Sequence, residues 1–166
     1  MIRLFERKLY LFGDKMSRGI IAKEYFEKGY NCAQSVVLAF ADCVSVDKES
    51  LAKISSSFGG GFGRLREVCG AFSGMSIIVG LILGYNETNG ENKKEHYALI
   101  RSLAEEFKNA NGGSIICREL LGETEKLSSE NPSVRTKEYN AKRPCADIVK
   151  SATDILEKVL KEKGVL

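Results

Sequence analysis

The uncharged run from Val68 to Tyr85, VCGAFSGMSIIVGLILGY, constrains this chain more than any other stretch. A segment this apolar has to be buried, either in lipid or in a protein core. A membrane-crossing helix needs about 20 predominantly apolar residues, so the run sits at the lower edge of that length. It also carries Cys69, Ser73, Ser76 and glycines at 70, 74, 80 and 84. That makes it weakly hydrophobic for a span, and the chain has no second run like it. It therefore reads as the central buried helix of a helical domain, from about Leu65 to Leu83. Gly70 and Gly74 stand four apart, as do Gly80 and Gly84. Each glycine costs a helix about 1 kcal/mol against alanine, so this spacing predicts a close neighbour, either another helix or a ligand. Directly upstream lies the glycine-rich loop Gly59-Gly60-Gly61-Phe62-Gly63-Arg64.

The rest of the chain supplies partners for that helix. A length of 166 residues suffices for one domain with a real core. Helix-period patterns dominate, and the only prolines are Pro132 and Pro144. We expect an all-α single domain of about six helices over residues 16–166, preceded by an N-terminal extension over 1–15. Met16 to Lys28 suits an amphipathic helix ended by Gly29. Asn31 is an N-cap for the helix running to Cys43, and Asp47 for the one reaching Phe58. Glu91 to Ala110 presents Tyr97, Ile100, Leu103, Ala104 and Phe107 inward. Ser114 caps a short helix ending at Gly122, and the polar stretch Glu123 to Arg143 reads as a mobile loop. The last helix starts at Pro144, a favoured first-turn position. Its stripe is Ala146, Ile148, Val149, Ala152, Ile155, Leu156, Val159 and Leu160.

Charge and composition exclude some functions. A net charge of +3, dispersed among acids, gives no footprint for nucleic acid. The first residues interrupt their apolar positions with Glu6, Arg7 and Lys8, which is not the pattern of a secretory signal. A cytoplasmic protein without a membrane partner is expected, and in that compartment cysteines serve as redox groups, metal ligands or buried side chains. The five are Cys32, Cys43, Cys69, Cys117 and Cys145, and no pair has CxxC spacing. Cys32, Cys69 and Cys145 fall near predicted helix starts, where the dipole favours a thiolate. Cys117 lies in the short helix after Gly112-Gly113. Cys43 sits late in its helix and reads as core.

These residues in combination resemble a known family. Asn31-Cys32-Ala33-Gln34, the loop Gly59-Gly60-Gly61 with Gly63-Arg64, the motif Cys69-Gly70-Ala71-Phe72-Ser73-Gly74 and the single Cys117 and Cys145 are similar to the C_GCAxxG_C_C family of redox-active proteins. The likeness runs from about Met16 to Leu160. It implies that Cys32, Cys69, Cys117 and Cys145 cluster and carry redox or metal chemistry, with Cys43 outside the pattern. The family is in turn similar to the helical domain of split-Soret cytochromes, which implies an iron–sulfur site. Covalent c-type haem is excluded, because the chain has no CxxCH, and its one histidine, His96, cannot supply two axial ligands.

Three readings stay open at this point. In the first, the four cysteines perform thiol–disulfide or electron-transfer chemistry with a redox partner; in the thiol form Cys32 or Cys69 attacks and another of the four resolves. In the second, the same four ligate an iron–sulfur cluster or another metal without catalytic turnover. In the third, the chain is a non-catalytic interaction protein, dimerising through its glycine-lined face. The loop Gly59, Gly60, Gly61, Gly63 and Arg64 either cradles an anion or cofactor with its N–H groups, or approaches the cysteines, or is only a tight turn. It is not GxGxxG and follows no strand, so a dinucleotide is not indicated. Arg64 and Glu67 read either as tuners of Cys69 or, as charged side chains more commonly are, as solvent-facing, and His96 reads as solvent-facing.

Overall fold

The computed structural model describes residues 16–88, 90–122 and 129–166. The expected extension, 1–15, lies outside the described residues. Eight α-helices form the described fold: α1 (Arg18–Glu27), α2 (Cys32–Leu38), α3 (Lys48–Ser55), α4 (Gly70–Leu83), α5 (Gly90–Ala110), α6 (Cys117–Leu121), α7 (Lys137–Lys142) and α8 (Cys145–Glu162). A 3-10 turn, Ser56–Phe58, follows α3. The all-α single domain expected from the pattern is what the chain forms. Among the described residues, no helix is long and apolar enough to cross a membrane.

Local chemistry sets most helix starts. Ser17 caps α1 by accepting from the Ile20 N–H, and Asp47 caps α3 by accepting from Ser50. Asn31 forms a full capping box: its side chain accepts from the Gln34 N–H at 2.9 Å, and the Gln34 side chain accepts from the Asn31 N–H at 3.0 Å. Gly29 follows α1 with φ of 109°, a conformation in which a side chain would be strained. These are local signals, and the sequence displays them.

Elsewhere tertiary context overrides the pattern. α2 ends at Leu38 instead of reaching Cys43, because the next N–H groups tighten onto carbonyls three residues back. Arg18 accounts for that ending: it donates to the Ala39 carbonyl at 2.6 Å and pairs with Asp42 at 2.6 Å. α4 starts at Gly70, not near Leu65, because Arg64 and Arg66 adopt φ of 67° and 63° and cannot continue a right-handed helix. Ser114 does not cap α6, whose N-cap is Ile116; its hydroxyl accepts from the Ile116 N–H. The stretch read as a mobile loop contains α7, capped by Thr136. Tyr97, expected inside, is 55 % exposed, and α5 buries only Leu103 and Phe107.

α4 is the spine. Phe72, Met75, Ile78 and Val79 are buried along it, and Phe72 meets Phe107 at a centroid distance of 5.6 Å. α8 closes the other side with Ile148, Val149, Ala152, Leu156, Val159 and Leu160 buried as expected. α1 packs most extensively on α8, and α2 on α4. Each large apolar side chain so buried stabilises the fold by about 1.5–3 kcal/mol. The α2–α4 crossing is the tightest. A Cβ on Gly70 would stand 2.7 Å from the Phe58 carbonyl oxygen and 3.1 Å from Cys32 Cβ; one on Gly74 would stand 2.8 Å from Val36 Cβ. The close neighbour predicted for these two glycines is therefore α2 of the same chain, so this face is not open for a second copy. Gly80 has nothing within 4 Å of such a Cβ, and the expectation of a close neighbour fails there.

Substitution separates the two kinds of glycine. Gly74→Val should lower stability by about 1–3 kcal/mol through overpacking. Gly80→Ala, at an open helical position, should raise it by up to about 1 kcal/mol. Urea unfolding midpoints of the two variants should move in opposite directions.

Candidate functional site

Four helix starts converge on one cavity. Cys32, Cys117 and Cys145 are the first residues of α2, α6 and α8, and Cys69 is the N-cap of α4. All four line a single cavity of about 20 Å³, closed by Gly61, Gly70, Leu120, Leu121 and Ile148. That is room for about one water molecule. Cys43 lies away from it, half-buried against the core, with its thiol donating to Asp42 at 3.5 Å.

Two devices bring the sulfurs together. The first is the α2–α4 crossing, where the missing side chain at Gly70 lets Cys32 sit beside the start of α4. The second is a short antiparallel bridge between Val68 and Ile116. Cys69 N–H donates to the Ile115 carbonyl at 2.8 Å, and Cys117 N–H to the Glu67 carbonyl at 2.6 Å. Residues flanking such a pair point to the same side of it, so Cys69 and Cys117 face the cavity together.

The glycine loop forms part of the wall. From Gly60 to Arg64 every residue has φ between 56° and 70°, and Arg66 follows at 63°. A run of left-handed residues that includes Phe62, Arg64 and Arg66 costs energy, of order 1–2 kcal/mol at each non-glycine. The loop holds it with its own hydrogen bonds: Gly63 N–H to the Ser57 carbonyl, Arg64 to Gly59, Arg66 to Gly60 and Glu67 to Gly61. Of the loop's own N–H groups, those of Gly63 and Arg64 are therefore engaged within the chain. Gly61 does approach the cysteines, as the second reading of the loop had it. A Cβ there would stand 2.6 Å from Cys117 Cβ.

The residue that sequence reasoning missed is Arg66. It is 6 % exposed, and its guanidinium hydrogen-bonds Cys117. Arg64 points elsewhere, donating to the Ser129 carbonyl at 2.6 Å, and Glu67 pairs at the surface with Arg118 at 2.7 Å. Two further arginines were hidden in the polar stretch. Arg135 donates to the Phe26 and Tyr30 carbonyls and lies 3.8 Å above the Phe26 ring. Arg143 lies 4.5 Å above Tyr139. The polarity of that stretch concealed them; Thr136 before a helix and Pro144 after it were the available signals. His96 is half-buried, its ring edge-on to Tyr85 at 5.5 Å, and not solvent-facing as expected.

Electrostatics divides the four thiols. Burial pushes Cys69 up to about 12, although the Ala71 and Phe72 N–H groups favour its thiolate. Burial also raises Cys117, against the pull of Arg66. Cys32 is raised well above the ordinary thiol value, chiefly because its hydrogen donates to Cys145, with burial adding to the effect. Cys145 goes the other way, to about 7. The hydrogen bond from Cys32 is the main cause, and Arg143, Arg135 and Arg66 outweigh part of the burial cost. A helix start alone does not lower a thiol pKa when the sulfur is dry: burial prevails at Cys69, and of the four only Cys145 is lowered.

Among the described residues, no three Cys, His, Asp or Glu side chains are arranged to hold an ion.

Residues 30–159 match the family described as putative redox-active protein (C_GCAxxG_C_C). The chain belongs to that family, whose description marks it as redox-active. Neither the curated proteins nor the solved structures contain a match to this chain.

Alkylation should read out the division among the thiols. The rate of carbamidomethylation at Cys145 should rise with pH to a plateau above about 7, since only the thiolate reacts. Cys69 should stay unmodified in the folded protein across that range. Arg143→Gln removes a cation that favours the thiolate and should move the Cys145 inflection upward. Peptide mass mapping after timed alkylation measures all three.

Proposed function

We propose that the protein performs thiol–disulfide exchange through Cys145 and Cys32, making it an oxidoreductase of the dithiol class. The observation that carries this reading is the single cavity lined by all four family cysteines, in which Cys32 and Cys145 are the two thiols that influence each other most strongly. The Cys145 thiolate attacks one sulfur of a disulfide substrate, forming a mixed disulfide and expelling the first substrate thiolate. Cys32 then loses its proton and attacks the Cys145 sulfur. The Cys32–Cys145 disulfide forms, the second substrate thiolate leaves, and the substrate has gained the two electrons that the dithiol lost. A dithiol partner reverses the steps and restores the reduced state. Cys69 and Cys117, held protonated by burial, shape and dry the cavity. A cytoplasmic setting suits the five free thiols.

Disulfide mapping tests the assignment. A disulfide oxidant such as bis(2-hydroxyethyl) disulfide should yield a Cys32–Cys145 bond and leave Cys43 free. Cys32→Ser should accumulate a mixed disulfide on Cys145, and Cys145→Ser should abolish the reaction. A bond between other cysteines in its place, or iron or zinc held stoichiometrically by protein purified without oxygen, overturns the proposal.

A further inference from the structure

The four family cysteines do not lie at one depth. Cys32 and Cys145 keep part of their surface in solvent, whereas Cys69 and Cys117 are buried. All four nevertheless line the same cavity. An outer pair that a substrate can reach therefore shares one space with an inner pair that it cannot. That space, about 20 Å³, takes about one water molecule and not a disulfide compound. Apart from the cysteines its walls are glycine, leucine and isoleucine, and a cavity so lined stays dry. The reaction partners open to Cys69 and Cys117 are thus the sulfurs of the outer pair. Backbone hydrogen bonds set the inner pair side by side. Val68 and Ile116 face each other across the antiparallel bridge, and Cys69 and Cys117 are the next residue on each segment. Each donates its N–H to the opposite segment, Cys69 to the Ile115 carbonyl and Cys117 to the Glu67 carbonyl. Diagonal neighbours of this kind stand about 7–8 Å apart at Cα and closer at Cβ, at the outer edge of disulfide reach. α6 is only five residues long and flanks the cavity, so a small inward shift of Cys117 closes the gap.

We infer that Cys69 and Cys117 form a second dithiol, which takes over the disulfide from Cys32–Cys145 and lets one molecule deliver four electrons instead of two. This rests on the thiol-exchange reading and adds a step to it. Once Cys32 and Cys145 are oxidised, Cys117 loses its proton and attacks the Cys145 sulfur, expelling the Cys32 thiolate. Cys117 goes first because Arg66 favours its thiolate, while burial holds Cys69 protonated. Cys69 then loses its proton and attacks the Cys117 sulfur, and the Cys145 thiolate leaves. A Cys69–Cys117 bond has replaced the Cys32–Cys145 bond. The inner pair has given two electrons to the outer pair, and its two protons pass to the outer thiols. No other oxidant enters, and the outer dithiol is restored for a second disulfide substrate.

Timed oxidation of the whole protein provides the test. Reduced protein is held without oxygen in excess bis(2-hydroxyethyl) disulfide, quenched with acid, and analysed for free thiols and for disulfide-linked peptides. The five free thiols should fall by two as Cys32–Cys145 forms, and then by two more as Cys69–Cys117 forms, leaving Cys43. The second loss should be about tenfold or more slower than the first, because the attacking thiols are held protonated. Cys145→Ser should give no Cys69–Cys117 bond, and Cys69→Ala and Cys117→Ser should each remove the second loss. A reaction that stops at the Cys32–Cys145 bond in the unaltered protein, with Cys69 and Cys117 still free, overturns the inference and leaves thiol exchange standing. A Cys69–Cys117 bond that forms as fast in Cys145→Ser shows direct oxidation of the inner pair and overturns the relay. A final state that pairs Cys69 or Cys117 with an outer cysteine overturns the second dithiol. Failure of Cys32–Cys145 to form at all overturns both readings.

Discussion

The absence of a side chain at Gly70 is the constraint on which the rest of the site depends. α2 and α4 touch backbone to backbone there, with Cys32 Cβ and the Phe58 carbonyl filling the volume that a methyl group would need. Any larger residue would lever the helices apart and carry Cys32 away from Cys69. The same contact fixes the 3-10 turn that leads into the glycine loop, and through the loop it fixes Gly61 and Arg66. Packing density in the core and reactivity in the cavity thus share one cause. Small residues that weaken α4 as an isolated helix let α2, α5, α8 and the 3-10 turn pack against it.

Much of this was legible in the sequence because the signals were local. Asn31 with Gln34 announces the start of α2, Pro144 the start of α8, and the Gly70–Gly74 spacing announces a close crossing. The convergence of Cys32, Cys69, Cys117 and Cys145 followed from family resemblance, not from any local pattern. What escaped was non-local. The Val68–Ile116 bridge is one residue pair joined across a long separation, with no alternating strand pattern on either side. Arg66 turns inward only because consecutive residues take left-handed angles, which a non-glycine rarely does. Arg135 and Arg143 sit in a stretch with too few apolar residues to reveal α7. Tyr97 matched the helical period, yet the first turns of α5 leave it half-exposed.

Four cysteines at four helix starts do not behave alike, and the reason is water. The partial charge of a helix terminus is worth at most a couple of kcal/mol in favourable geometry. Removing a thiolate from solvent costs more unless donors and cations replace the lost hydration. Cys69 has the N–H groups and little else, so burial prevails. Cys145 is lowered instead, by Cys32 and by the positive charge of Arg143, Arg135 and Arg66. Position along a helix and depth in the fold act as separate controls on the same chemistry.

The two cysteines proposed to exchange begin the second and the last of the described helices. A bond between them would close a loop of more than a hundred residues, enclosing almost the whole core. Chain-entropy reasoning assigns such a closure roughly 4–5 kcal/mol of stabilisation against unfolding. Thermodynamic linkage makes this reciprocal: the folded arrangement promotes the bond by the same amount that the bond protects the fold. The oxidation state of two sulfur atoms would then set how readily the entire domain opens, so that its lifetime inside a cell becomes a record of its redox history.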